Sequence, residues 1–168
     1  MSASKKIFKK IGMIILVVFI LIQFIHPAKN LSGDKSKSIS VKYNVPENVS
    51  QILDAACNDC HSNKTVYPWY TNIQPVDWFM AKHVNDGKRH LNFDEFLSYR
   101  PYKQNHKLEE IDEVLLEGEM PLNSYTWMHP KAKLKPEEKE ILIKWSKDLR
   151  DSMANEYPAD SLVMPKRK

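Results

Sequence analysis

The chain has two cysteines, three positions apart, with a histidine directly after the second: residues 55–63 read AACNDCHSN and contain Cys57, Cys60 and His61. Four chemistries use such a pair, and each demands a different fold around it. A thiol oxidoreductase motif opens a helix within a βαβ pattern, which lowers the thiol pKa. Here Val49, Ile52, Leu53, Ala56, Cys57 and Cys60 recur at spacings of three and four, so the pair closes an amphipathic helix. No βαβ pattern surrounds it. A structural zinc site takes four ligands, usually as two pairs. No second cysteine pair and no H-x3-5-H pair exists, and His83 and His90 stand seven apart. A disulfide between residues three apart closes a very small loop, gains little from loop entropy and leaves His61 unexplained.

The fourth chemistry uses all three residues. Cys-x-x-Cys-His is the attachment signature of a c-type haem. The two-residue spacer matches the separation of the two vinyl groups, and the adjacent histidine falls under the iron. Cys57 and Cys60 are therefore expected to carry one covalent haem c through thioethers, with His61 as proximal iron ligand. A sixth ligand could come from Met80, Met120, Met128, Met153, Met164, His83, His90, His106 or His129. Met120 is preferred, because it follows a helix that stops at Gly118 and precedes Pro121, so its backbone has little freedom. The commoner fate of a methionine is to fill a gap in the core. His83, on the inward face of a helix, is the rival. Tyr67, Trp69, Tyr70 and Trp78 read as walls of the haem pocket, or simply as aromatic bulk in a small core.

The N-terminus sets a second constraint. After KKIFKK, residues 11–25 read IGMIILVVFILIQFI, without a charge and with Gln23 as the polar side chain. The run is short for a span of about 20 residues and also fits the apolar part of a signal peptide. Cleavage wants an A-x-A-like pattern of small residues. FIHPAKN places His26 two positions before Ala28, so an uncleaved anchor is expected. Lys5, Lys6, Lys9 and Lys10 hold the N-terminus in the cytoplasm and put the remainder outside it.

Residues 1–28 thus read as a Lys-rich start and transmembrane signal-anchor, 29–44 as a flexible Ser/Lys-rich linker, 45–152 as the folded domain, and 153–168 as a polar tail. Four helices are expected in the domain: from Pro46 into the CNDCH motif, from Pro75 to Asn85 with Gly87 ending or bending it, from Lys107 to Glu117, and from Pro136 onward with a stripe of Ile141, Leu142, Trp145 and Leu149. Arg100-Pro101 is expected to break a helix, and residues 119–130 to be irregular. No strand is expected, which makes the fold all-α. The formal charge of +4 is concentrated at the ends, since Val45 to Arg150 carries 14 Lys+Arg against 17 Asp+Glu. Nucleic-acid binding is therefore not expected. The carboxylate pairs Glu109-Glu110 and Glu137-Glu138 lie on polar helix faces and suggest no acid–base work. Lys131, Lys133, Lys135 and Lys139 form a mild basic patch.

The stretch ACNDCHSNKTVYPWYTNIQPVDWFMAKHVNDGKRHLNFDEF, followed by GEMPLNSYTWMHPKAKL, is similar to the bacterial haem-binding domain family of monohaem c-type proteins. CHSN-x-T-x-YPWY and GEMP-x-x-x-Y carry the resemblance more specifically than CxxCH alone. The wider layout resembles a class I cytochrome c. That resemblance implies a helical domain around one covalently attached haem, with the first and last helices crossing at Trp145. It also implies Cys57 and Cys60 as attachment sites, His61 as proximal ligand and Met120 as distal ligand. Placed on the periplasmic side of a bacterial inner membrane, such a chain is expected to carry single electrons and to act on no small-molecule substrate. Its partners would be redox proteins, including a respiratory or oxidase complex on which it could dock as a fixed module. The alternative is a haem-based peroxidase or small-gas sensor with an open or displaceable distal site.

Overall fold

Residues 3–165 are described by the structure, a computed structural model. Helix α1 spans Ala3–Ile22, α2 Ile39–Lys42, α3 Glu47–Ala56, α4 Asn58–His61, α5 Val76–His90, α6 Pro101–Glu117, α7 Asn123–Met128 and α8 Pro136–Glu156. Short 3-10 turns cover Trp69–Asn72, Phe93–Ser98, Pro130–Ala132 and Ala159–Leu162. Among the described residues there is no strand, as the patterning predicted.

The core forms where three apolar stripes meet. Val49, Ile52 and Leu53 come from α3, Leu108, Ile111 and Leu115 from α6, and Leu142, Trp145, Leu149 and Met153 from α8, with Phe93 and Phe96 closing one end. α3 packs on α8, and the buried Trp145 indole donates to the Asn44 carbonyl at 3.2 Å. Trp145 thus ties α8 to the chain that leads into α3. Two buried polar pairs register the helices. Ser146 Oγ donates to Asp112 between α8 and α6, and Tyr43 OH donates to Gln104 Oε1 at 2.8 Å.

Several boundaries depart from expectation. α5 runs straight through Gly87 to His90, because tertiary contact with α4 overrides the weak helix propensity of glycine. α6 begins at Pro101. Extended Arg100 and Pro101 at the first helical position make that dipeptide a start signal rather than a break. Residues 123–128 form α7 within the stretch expected to be irregular. α6 stops at Gly118, which holds the left-handed conformation at φ 73°.

The segment expected to be a free linker is laid onto the domain. Ile39 and Tyr43 belong to the core. Gly33 N donates to the Asn63 carbonyl and Thr65 N to the Asn30 carbonyl. Asn30 donates its side-chain amide to Ser62 O at 2.9 Å and Thr65 Oγ1 at 3.0 Å, and accepts from Lys88 Nζ at 2.6 Å. The polar, Ser-rich first half of the strap is held by hydrogen bonds and its second half by burial of Ile39 and Tyr43, two isolated apolar residues that hydropathy does not announce. The tail also engages: Met153 is fully buried, and Leu162 packs on the core.

α1 projects large apolar side chains on every face, and from Ile7 to Leu21 they stay exposed. It is therefore not a core helix. Among the described residues no helix is long and apolar enough to cross a membrane. Four of the twenty residues of α1 are lysines near its start, and the helix ends at Ile22.

Candidate haem-binding site

α4 follows α3 after a kink at Cys57, whose φ and ψ of −126° and −44° interrupt the helix. The kink points Cys57, Cys60 and His61 into one cleft of about 260 Å³. Ala56 and these three residues form one wall, His83, Asp86, Gly87 and His90 of α5 a second, and Met120, Pro121, Leu122 and Tyr125 the third. The sequence-predicted Cys57, Cys60, His61 and Met120 are thus brought together. So is the rival His83.

α4 and α5 approach closely at Gly87. A β-carbon there would meet the Cys60 carbonyl oxygen at 2.7 Å and the Cys60 β-carbon at 3.0 Å. Glycine is what lets α5 lie against the back of the CNDCH turn. The same helix end orients the histidine. His61 Nδ1 lies 2.9 Å from the Leu91 carbonyl. An N–H there can only donate to that oxygen, so Nε2 is the nitrogen left to bind a metal, the usual arrangement behind a metal-ligating imidazole. Burial lowers the His61 pKa, with the Leu91 carbonyl acting in the opposite direction, and so favours the neutral ring a metal needs. His83 is set similarly, its Nδ1 2.8 Å from Phe79 O and its ring 4.1 Å from that of Phe79.

The residues after the histidine lock the turn. Asn63 N donates to Asp94 Oδ2 at 2.9 Å, its side chain reaches Asp34 O and Glu95 Oε1, and its Oδ1 accepts from Asn92. Thr65 Oγ1 donates to the Asp59 carbonyl at 2.6 Å. The Asp59 carboxylate accepts from Val66 N at 3.0 Å and from Tyr125 OH at 2.7 Å. CHSN-x-T is therefore a buried polar clamp that fixes the motif. Tyr125, stacked on His129 with ring centroids 4.4 Å apart, was not singled out as a site residue, although GEMP-x-x-x-Y contains it. Tyr125→Phe is expected to cost about 1 kcal/mol in denaturant unfolding, since Asp59 keeps its other partner.

The four aromatics read as haem-pocket walls do not line the cleft. Tyr67 OH accepts from Asn30 N at 2.9 Å. Tyr70 OH lies 3.3 Å from His129 Nε2. Trp78 Nε1 donates to the Ile25 carbonyl at 3.1 Å, and Trp69 is 76% exposed. Tyr67, Trp69 and Tyr70 precede α5 and Trp78 lies on it, and the polar atoms of Tyr67, Tyr70 and Trp78 go to Asn30, His129 and Ile25.

The profile of the haem-binding domain family matches residues 17–148, most of the chain. This chain belongs to that family. No curated protein and no solved structure matches it. The matched range begins inside α1 and covers the strap, in agreement with the strap being part of the haem-binding domain.

The donor set of the cleft, two thiols, an imidazole and a thioether, fits a haem. It does not fit thiol exchange. Burial pushes the Cys57 thiol up to about 12, helped by Cys60, and the Cys60 thiol up to about 11, helped by the Asp59 charge. Neither is a thiolate at neutral pH, whereas redox-active thiols are activated by lowered values. In the haem-free chain, alkylation of both thiols is expected to be slow at pH 8 and to accelerate only towards pH 11–12, reaching the ordinary rate on unfolding. Thiol pKa values raised by folding leave stability untouched below the unfolded value near 9.0. Above it they withdraw stability, as the unfolded chain releases the protons first.

Proposed function

We propose that this haem-binding domain is a membrane-anchored monohaem c-type cytochrome that passes single electrons through iron ligated by His61 and Met120. The observation that carries the reading is the single cleft that places Cys57, Cys60 and His61 on one wall and Met120 on another. Cys57 and Cys60 would hold the haem through thioethers, each formed by adding S–H across a vinyl group without an oxidant. His61 offers Nε2, positioned by its bond to Leu91 O. Met120 supplies a soft thioether from the loop after Gly118. When bound, haem c supplies a one-electron change at iron, with a potential raised by Met/His ligation relative to bis-histidine.

Membrane anchoring rests on α1, whose large apolar side chains from Ile7 to Leu21 stay exposed. Uncharged helix continues to Ile22 and uncharged chain to Ile25. Lysines can snorkel to the cytoplasmic surface, and the domain then stands on the periplasmic side of a bacterial inner membrane. A respiratory or oxidase complex is the partner class that fits a carrier confined there.

Optical spectra of the detergent-solubilised holoprotein test the ligands. Sharp reduced c-type bands with the weak near-infrared band of methionine bound to ferric iron support the assignment. A high-spin spectrum sinks it. One observation favours a second reading: His83 and His90 line the same cleft, as an acid–base pair for peroxide or a replacement ligand would. Met120→Ala decides between them. An open site that now binds carbon monoxide supports Met120 as ligand. Unchanged spectra and no carbon monoxide binding assign the position to His83 or another ligand.

A further inference from the structure

The segment from Ile73 to Phe79 is inside out. Gln74 and Asp77 are buried to 1–2% exposure, while Ile73, Val76, Trp78 and Phe79 between and beside them stand 36–49% exposed. The buried polar pair grips the chain that leaves α1. Gln74 N donates to Gln23 Oε1 at 2.9 Å and Gln74 Nε2 to the Ile25 carbonyl at 2.6 Å. His26 Nδ1 lies 2.6 Å from Asp77 Oδ2, and Trp78 Nε1 donates to the same Ile25 carbonyl. This clasp fixes the apolar face beside exposed Phe24 and Ile25, at the foot of the apolar helix. The face is thus continuous with the apolar surface of α1, and its hydrogen bonds are all spent inward. Lys29, bonded to Asn72, and Lys82, one helical turn beyond Trp78, border it with positive charge.

We propose that this face is a membrane-docking surface: Phe24, Ile25, Ile73, Val76, Trp78 and Phe79 enter the headgroup layer of the bilayer, and Lys29 and Lys82 meet anionic phosphates. Large apolar patches mark interaction sites, and a tryptophan with one hydrogen-bonded edge suits the membrane interface. The proposal rests on the anchoring reading above and goes beyond it by fixing the attitude of the domain. α5 carries both the docking face and the cleft. Gly87 lies nine residues beyond Trp78, about 13 Å along the axis at 1.5 Å per residue, so the cleft stays close to the lipid surface.

The test uses the full-length holoprotein in nanodiscs of phosphatidylethanolamine and phosphatidylglycerol. One nitroxide is attached at Val76→Cys, or at Phe79→Cys if the first variant is not recovered. Val17→Cys and Lys147→Cys serve as references, and the unsubstituted holoprotein, its native thiols in thioethers, takes no label. Collision with oxygen relative to a water-soluble nickel complex is expected to be several-fold higher at 76 than at 147, and highest at 17. A ratio at 76 equal to that at 147, with 17 still in lipid, overturns docking and leaves the anchor standing. Aqueous ratios at both 17 and 76 overturn both readings. Lipid contact at 76 with an aqueous label at 17 upholds docking and removes the anchor. Mutual spin broadening at 76 without lipid contact assigns the face to a second copy and overturns the proposal.

Discussion

The chain carrying Cys57→Ser and Cys60→Ser is expected to be recovered without covalent haem, and the unsubstituted chain is expected to keep a haem stain through denaturing electrophoresis. The loss should be complete rather than graded. Serine preserves size and the kinked turn, but a hydroxyl does not form the thioether. Single variants separate the two positions. Both thiols sit in the same cleft, so either alone can retain one thioether and a fraction of the stain. A stain persisting in the double variant would remove the c-type assignment, leaving His61 and Met120 as candidates for a non-covalent site. Yield of folded chain must be read beside the stain, and circular dichroism of the double variant does so.

Gly87→Ala has the next largest expected effect, and its sign is not obvious from helix propensity. In an open helix this change gains about 0.5–1 kcal/mol. Here the new methyl would sit 2.7 Å from the Cys60 carbonyl oxygen. That neighbour is backbone and cannot rotate aside, so the overpacking penalty of about 1–3 kcal/mol dominates. The displacement falls on Cys60 and His61, the residues the cleft depends on. We expect a lower denaturation midpoint together with a sharply reduced yield of covalent holoprotein. Gly12→Ala, where a β-carbon meets nothing within 4 Å, should change neither. Wild-type behaviour of Gly87→Ala would mean that α4 can move away from α5 freely.

Much of this arrangement is legible in the sequence, because it is written locally. The apolar spacing of α3 into Cys57, the Gly118 stop, the Met-Pro loop and the α8 stripe through Trp145 each follow from residues within a few positions of one another. What was not legible depends on partners remote in the chain. Gly87 looks like a helix stop until Cys60 is seen behind it. Asn30 looks like linker until it is found holding Ser62 and Thr65. The YPWY aromatics look like pocket walls because bulk near a cofactor motif usually faces the cofactor. Instead Tyr67 spends its hydroxyl on Asn30 of the strap, and Trp78, read in the same way, spends its indole N–H on Ile25 just after α1. Gln74 and Asp77 give no local sign that they point inward.

Under the electron transfer proposed above, the strap changes what kind of search a partner must perform. A free segment of the sixteen residues from 29 to 44 would give an arm with a reach of about 20–24 Å. Pinned at Asn30, Gly33, Ile39 and Tyr43, the same residues leave no slack between helix and domain. Under the anchoring proposed above, the redox face cannot swing out to meet a distant site. Encounter then becomes a matter of two bodies diffusing in one plane with their orientations already set.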